Sequence, residues 1–310
     1  MILARHLRPQ QPLRAAQRLA ARAHRRAVHG VPSLANFGER FAQNGVPELL
    51  SQTGFNTAWT VYQKLMVDGL NERIVGTPLE KHLVKDIVIK TAREPLLAST
   101  FNYASMAFNN HFFFGTIADK ETPMPDELAE SLTTSFSSVD IFKADFLATA
   151  EAMFGPGFVW LVWHRQMQNL NKGSWKILPT YLAGSPLSDA HYRQQPVDMN
   201  TQNHGSAGGL SGADYARQSQ IQNSAGVMGP HSVAGQAARN RAPGGADVVP
   251  VLCVNTWEHV WVPDWGVESK RDFLEAWWRR INWETLEVPP DALGKSGQSA
   301  RTMFANTFAR

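Results

Sequence analysis

Two short segments of the chain place an imidazole beside polar or acidic side chains, a combination that can bind metals. Asn110 directly precedes His111 in an aromatic stretch, and His259 follows Glu258 four residues after Asn255. Redox-active metals in proteins are held by imidazole and anionic ligands. In this sequence neutral amides stand close to both imidazoles.

The single cysteine, Cys253, limits the remaining chemistry. One thiol excludes an internal disulfide and any zinc site built from several cysteines. Its apolar neighbours predict a small buried side chain in a strand. A lone thiol also fits a reducing compartment.

The first thirty residues are basic and contain no acidic residue. An arginine-rich, acid-free start with amphipathic spacing is typical of a mitochondrial transit peptide. A basic RNA-binding arm and a disordered tail are the alternatives. We interpret residues 1–30 as a transit peptide with cleavage somewhere within 25–38. The arginines are Arg5, Arg8, Arg14, Arg18, Arg22, Arg25 and Arg26.

Removal of these residues changes the charge of the chain. The full chain has 30 basic and 27 acidic residues, and without 1–30 the balance becomes 23 to 27. Nucleic-acid binding over a whole surface requires clustered Lys and Arg, so the global charge favours protein partners. No apolar run reaches the roughly 20 residues that span a bilayer, so a membrane role is not expected.

The apolar spacing predicts helices in the first half of the chain. Residues at three- and four-residue steps predict a helix over 54–75. The aromatic stretch predicts a helix over 97–116 that lies deep in a core or interface. A pair of shorter helices is expected over 125–153.

Strand signals follow, so the fold class is α+β. β-branched and aromatic residues predict strands over 158–163, 174–178 and 248–254. The apolar run of the third strand suggests a central position, and Pro250 suggests that regular pairing starts after it. A tryptophan-rich helix is expected over 273–287.

Residues 188–247 are rich in Gly, Ser, Gln, Asn and Ala and contain few large aliphatic side chains. Such a segment cannot bury enough apolar area to offset its ordering entropy. We expect an insertion that is disordered or ordered by a partner. A docking role and a neutral expansion remain equally open.

Several segments resemble iron/manganese superoxide dismutases. VLCVNTWEHVWVPDW and FLEAWWRRINWETLE are similar to that family's C-terminal signature, Asp-x-Trp-Glu-His followed by Leu-x-Ala-x-Trp-x-x-x-Asn-Trp. GPGFVWLV, FNYASMAFNNHFFF and VDGLNERI resemble further family segments. The residues on the C-terminal pattern are Trp257, Glu258, His259, Leu274, Ala276, Trp278, Asn282 and Trp283.

The resemblance implies an N-terminal helical hairpin domain over 45–124 and a C-terminal α/β domain over 125–290. The second domain would contain a small three-stranded antiparallel sheet with flanking helices, interrupted by 188–247. Residues 291–310 are expected to form a flexible tail.

The family's metal ligands do not carry over. Its three histidines and one aspartate map to Ala58, Asn110, His259 and Asn255, so only His259 is retained. His111 is one residue out of register, and a one-residue insertion could restore it. One residue turns a helical side chain by about 100°, so without such an insertion His111 lies on another face. A methyl group and two amides cannot supply the affinity that a redox metal needs. We therefore expect no metal, no cofactor and no enzyme activity.

Glu258 and His259 occupy the positions that link subunits across the two-fold interface of dimeric family members. Use at an interface and bracing within one domain are both open. A mitochondrial, metal-free relative resembles the dismutase-like proteins of the fungal mitochondrial small ribosomal subunit. That resemblance implies a structural role in the matrix and a dismutase-like paralogue or a second copy as partner. It also implies contacts with other small-subunit proteins and limited contact with ribosomal RNA.

Two rival functions remain: an active mitochondrial dismutase with altered ligands, and a free-standing protein-binding module. Stoichiometric metal with superoxide turnover would favour the first. Failure to sediment with the small subunit would favour the second.

Overall fold

The computed structural model describes residues 29–34, 37–165, 173–190 and 247–294. The predicted transit peptide lies outside the described residues, apart from its last two positions. Most of the 188–247 insertion and residues 295–310 of the predicted tail also lie outside them. None of the described helices is both long and apolar enough to cross a bilayer.

The helical first half agrees with the predicted helices and adds two more. After α1 (Gly38–Asn44), α2 (Gln52–Phe55) continues through a π-helical turn (Asn56–Val61) into α3 (Tyr62–Ile74). The hydroxyl of Ser51 accepts a hydrogen bond from the Gly54 N–H and so begins this run. The prediction of a helix over 54–75 is confirmed.

Two further helices follow in the first half of the chain, α4 (Val84–Thr91) and α5 (Ala98–Gly115). α4 was not predicted, although Ile87, Val88 and Thr91 are buried at helical spacing. α5 packs against both α3 and α4. As predicted, α5 is deep in the core, and each of its fully buried phenylalanines contributes about 1.5–3 kcal/mol.

The second half begins with α6 (Asp126–Phe136) and α7 (Val139–Ala152), the predicted pair of helices. Asp126 and Glu127 lie in the first turn of α6, where carboxylates interact favourably with the helix dipole. The hydroxyl of Ser138 caps α7 by accepting from the Ile141 N–H at 3.1 Å.

A three-stranded antiparallel sheet follows, as predicted, with strand order β2-β1-β3. Its strands are β1 (Gly157–Arg165), β2 (Gly173–Tyr181) and β3 (Asp247–Asn255). The prediction of a central third strand is wrong because β1 is central and β3 is an edge strand. β3 is apolar because it is buried nearly throughout, and α5 packs against it.

The prediction that pairing starts after Pro250 is also wrong. Pro250 pairs with Val162 inside β3, beside a register irregularity between Leu161 and Val162. An edge strand tolerates a residue without an N–H, particularly beside a bulge.

Two helices follow the sheet, α8 (Glu258–Trp265) and α9 (Lys270–Arg279). The predicted tryptophan-rich helix over 273–287 ends early, at Arg279. Ile281 instead forms a β-bridge with Ile117, and Asn282 N–H donates to the Thr116 carbonyl at 2.9 Å. These bonds to the residues that follow α5 replace helical ones.

The first residues of the predicted tail pack against the sheet. Pro290–Leu293 forms a 3₁₀ turn in which Asp291 accepts two hydrogen bonds from Arg165, at 2.7 and 2.9 Å. The indole N–H of Trp163 donates to the same carboxylate at 2.8 Å. A described, anchored segment therefore reaches Gly294.

Candidate functional site

Three positions that the resemblance assigns to metal ligands meet in one buried pocket. Ala58 lies in the π-helical turn, Asn110 on α5 and Asn255 at the end of β3. All three are fully buried. The pocket therefore joins both halves of the fold.

A chain of side-chain amides fills this pocket. Asn255 Nδ2 donates to Asn110 Oδ1 at 3.2 Å, and Asn110 Nδ2 donates to Gln63 Oε1 at 3.0 Å. Gln63 Nε2 donates to the Ala107 carbonyl at 2.9 Å, and Asn255 Oδ1 accepts from the Trp257 N–H at 2.9 Å. We call Gln63, Asn110 and Asn255 the amide network. Each oxygen and each amide nitrogen in it has a partner.

Sequence reasoning missed Gln63. It follows Trp59 by four residues and precedes Met66 by three, so helical spacing places it on the apolar face of α3. Gln63 is only 1% exposed. A lone amide on an apolar face needs a hydrogen-bond partner, and this signal was available in the sequence.

The π-helical turn supplies one more acceptor. The Tyr62 N–H donates to the Thr57 carbonyl, five residues back, in the π-helical pattern. The Ala58 carbonyl accepts a hydrogen bond from Asn110 Nδ2 at 3.2 Å. Ala58 thus contributes to the network through its backbone, although its methyl group has no chemistry.

These residues do not fit the metal that the resemblance implies. The pocket contains a methyl group and uncharged amides whose oxygens already accept hydrogen bonds. Among the described residues no three His, Cys, Asp or Glu side chains are grouped as metal ligands. A divalent or trivalent ion would meet no compensating charge from these groups.

His259, the retained ligand position, lies beside the network rather than in it. Its ring stacks on Tyr62 with centroids 4.0 Å apart. Burial lowers the pKa of His259 to about 4, so the imidazole is neutral near pH 7. Its Nε2 is buried and has no hydrogen-bond partner in the described chain.

His111 does not join this site. It is 6% exposed and lies near Trp59, with ring centroids 5.8 Å apart. Burial lowers its pKa to about 4, against an opposing hydrogen bond with the Ser33 backbone. The structure gives His111 a buried place among aromatic side chains.

The surface next to the pocket combines exposed apolar and charged groups. Phe154 is 97% exposed, Glu258 is exposed, and Trp257 is half-buried with an unpaired indole N–H. Lys270 connects them: its Nζ donates to the Met153 carbonyl at 2.8 Å, and its charge interacts with Glu258. We call Phe154, Trp257, Glu258, His259 and Lys270 the Glu258 face.

Comparison with known proteins gives a family match. A family model described as "Iron/manganese superoxide dismutases, C-terminal domain" matches residues 124–192 and 229–288. The match includes β1, β2, β3 and every residue of the Glu258 face, and it does not include α2 and α3.

Individual relatives are of two kinds. The chain is 24% identical to "Small ribosomal subunit protein mS43" of Schizosaccharomyces pombe, over 84% of this chain and 83% of that protein. It is 24% identical to that organism's "Small ribosomal subunit protein mS42", over 65% of this chain and 70% of that protein. It is 30% identical to "Superoxide dismutase [Fe]" of Helicobacter pylori, over 51% of this chain and 70% of that protein.

Proposed function

The chain belongs to the iron/manganese superoxide dismutase family, and from that premise we propose that it is a non-catalytic structural component of the mitochondrial small ribosomal subunit. The amide network is the observation that carries this proposal. It occupies the ligand positions of the family with paired, uncharged groups.

The loss of catalysis follows from the donor set. A redox metal is held by anionic and imidazole ligands, whereas Ala58, Asn110 and Asn255 offer neither. The amide network also uses the oxygens that a metal would need. Rebuilding a site would require breaking buried hydrogen bonds, each of which leaves an unpaired group at a cost of about 1–3 kcal/mol.

The ribosomal assignment rests on the relatives. Two of them are named as small ribosomal subunit proteins, and the chain covers 83% and 70% of their lengths. The alignment with mS43 extends over 84% of this chain, more than the 51% of the alignment with the Helicobacter pylori dismutase. We place the chain in the mitochondrial matrix, consistent with a transit peptide over 1–30.

We further propose that the Glu258 face binds a dismutase-like paralogue or a second copy of the chain. A nearly fully exposed phenylalanine and two buried but unpaired ring nitrogens make this face incomplete in a single chain. Aromatic anchors beside charged groups are typical of protein interfaces. A carboxylate from a partner's Glu258 would accept a hydrogen bond from His259 Nε2, which has no partner in the described chain.

Sucrose-gradient sedimentation of mitochondrial lysate tests the assignment. We expect the chain to co-migrate with the small subunit and to stay with it when low magnesium separates the subunits. Recovery of the chain only in the light fractions would overturn the ribosomal role and favour a free-standing binding module.

A further inference from the structure

The first described residues, 29–34, are held against the helical half of the fold. The His29 N–H donates to Asn71 Oδ1 at 3.0 Å, and Asn71 Nδ2 donates to the His29 carbonyl at 2.8 Å. Asn71 lies on α3 and is only 7% exposed, so this reciprocal pair of hydrogen bonds satisfies a buried amide. We call residues 29–34 the strap.

The strap makes further contacts close to its other end. The Ser33 backbone forms a hydrogen bond with the buried ring of His111 on α5. Leu34 is buried in the main hydrophobic core, and its carbonyl accepts from the Gly38 N–H at 3.3 Å where α1 begins. The strap is therefore fixed to α3 at its first residue and to α5 and the core at its last two.

A chain that began after the strap would leave these buried groups without partners. The Asn71 amide would lose the hydrogen bonds of both its oxygen and its nitrogen, and His111 would lose its bond to Ser33. Buried polar groups without partners destabilise a fold because they have also given up their hydration. A chain that began at His29 would keep every one of these bonds, since its amino terminus would still carry N–H donors for Asn71 Oδ1.

We propose that the strap belongs to the mature protein and that mitochondrial processing cuts no later than the Val28–His29 bond. The cleavage window of 25–38 expected from the sequence thereby narrows to 25–28, and the transit peptide ends before residue 29 instead of at residue 30. The position of the cut rests on the proposed mitochondrial role, whereas the anchoring of the strap does not.

Identification of the first residue by mass spectrometry tests the position of the cut. The full chain with a C-terminal affinity tag is purified from the mitochondria of cells that express it, and its labelled N-terminal peptide is sequenced. We expect a processed start at or before His29. A start at residue 30 or later, or an uncut start at Met1, would overturn the proposal.

Thermal unfolding tests the anchoring without mitochondria. One chain starts at His29 and the other at Ala35, and both end at residue 310. The shorter chain should melt at least about 5 °C lower, because it leaves the Asn71 amide and His111 without these partners. Equal melting temperatures would overturn the anchoring.

Asn71→Ala provides a second comparison, with Asn102→Ala on the exposed surface of α5 as its matched control. In the chain from His29, Asn71→Ala should lower the melting temperature and Asn102→Ala should not. In the chain from Ala35, the effect of Asn71→Ala should be less than half as large, because removal of the strap has already unpaired that amide. If the shorter chain does not fold, the first comparison decides, and equal effects of the two substitutions would refute the strap.

The outcome is separable from the ribosomal role. A chain that co-migrates with the small subunit but starts after residue 29 refutes the strap proposal alone. A chain that starts at or before His29 but remains in the light fractions refutes the ribosomal role and leaves the strap standing.

Discussion

The amide network and the Glu258 face adjoin each other, but buried polar groups are paired in the network and unpaired on the face. Within the network, Gln63, Asn110 and Asn255 pair with one another and with backbone groups. On the face, His259 Nε2 and Trp257 Nε1 are buried without a hydrogen-bond partner in the described chain.

The difference indicates which part of the molecule is complete in a single chain. An unpaired buried polar group costs about 1–3 kcal/mol, so a folded protein keeps few of them without a reason. Every side-chain polar atom of the amide network has a hydrogen-bond partner. The adjacent Glu258 face has two buried ring nitrogens without one, and a bound partner is the simplest source of the missing hydrogen bonds.

The largest effect is expected for breaking the network at its centre, with Asn110→Leu. This change leaves Gln63 Oε1 and Asn255 Nδ2 without partners, so we expect the free energy of unfolding to fall by about 4 kcal/mol. Urea unfolding measures the change.

A matched control is available one residue away on α5. Asn109 is also fully buried, but it lies outside the network and donates to the Gly184 carbonyl. Asn109→Leu should cost about half as much, since fewer groups lose partners. Equal losses in both variants would mean that the network has no special role.

The next effect concerns the face and is measured as partner affinity. Glu258→Lys should weaken binding of a second copy or paralogue by about 3 kcal/mol, because it removes an interfacial charge and adds a like charge near Lys270. Analytical ultracentrifugation, or titration with the paralogue, provides the measurement.

Glu268→Lys is the control for this prediction, since Glu268 is also an exposed acid but lies outside the Glu258 face. It should leave affinity unchanged, and neither variant should change the unfolding of the single chain. An interface elsewhere would be indicated if the two variants behave alike.

The smallest effect is the pH dependence of stability that the buried His111 causes. Because burial lowers the pKa of His111 to about 4, the unfolded chain binds a proton at His111 that the folded chain does not. The stability is therefore complete above about pH 6.5 and decreases as the pH falls towards 4. His111 alone should account for about 2 kcal/mol of this loss.

His111→Gln removes this titration, so the stability difference between pH 7.5 and pH 4.5 should shrink relative to the parent. Comparing the two pH values within each variant cancels the effect of the substitution on packing. An unchanged difference would show that His111 is protonated in the folded chain.

Much of the fold was predictable because local patterns and family segments agreed. The helix through Ala58, the aromatic helix with Asn110 and the strand ending at Asn255 were all expected. That these three residues stand at substituted ligand positions follows from the resemblance and stays a prediction. The position of β3 was not expected, because apolar content reports burial of a strand's faces and not its place in the sheet. The pairing at Pro250 was mispredicted for the same reason. A strand tolerates a proline at a free edge of the sheet, and the sequence does not show which strand lies at that edge.

The hydrogen bonds of the amide network could not be predicted from the sequence. Asn110 and Asn255 were recognised as substitutions, but their hydrogen bonds depend on three elements that are distant along the chain. The spacing of Gln63 shows only that its amide needs a partner, and the partners become known when α5 places Ala107 and Asn110 beside it. Pairing of side chains across elements is set by tertiary packing, which local spacing does not contain.

Metal analysis of the purified chain tests the central claim most directly. The protein is expressed with iron and manganese in excess, and its metal content and superoxide consumption are measured together. An amide-filled pocket predicts metal far below one atom per chain and superoxide consumption no faster than in buffer alone. Iron or manganese at one atom per chain, with superoxide turnover abolished by His259→Ala, would contradict it.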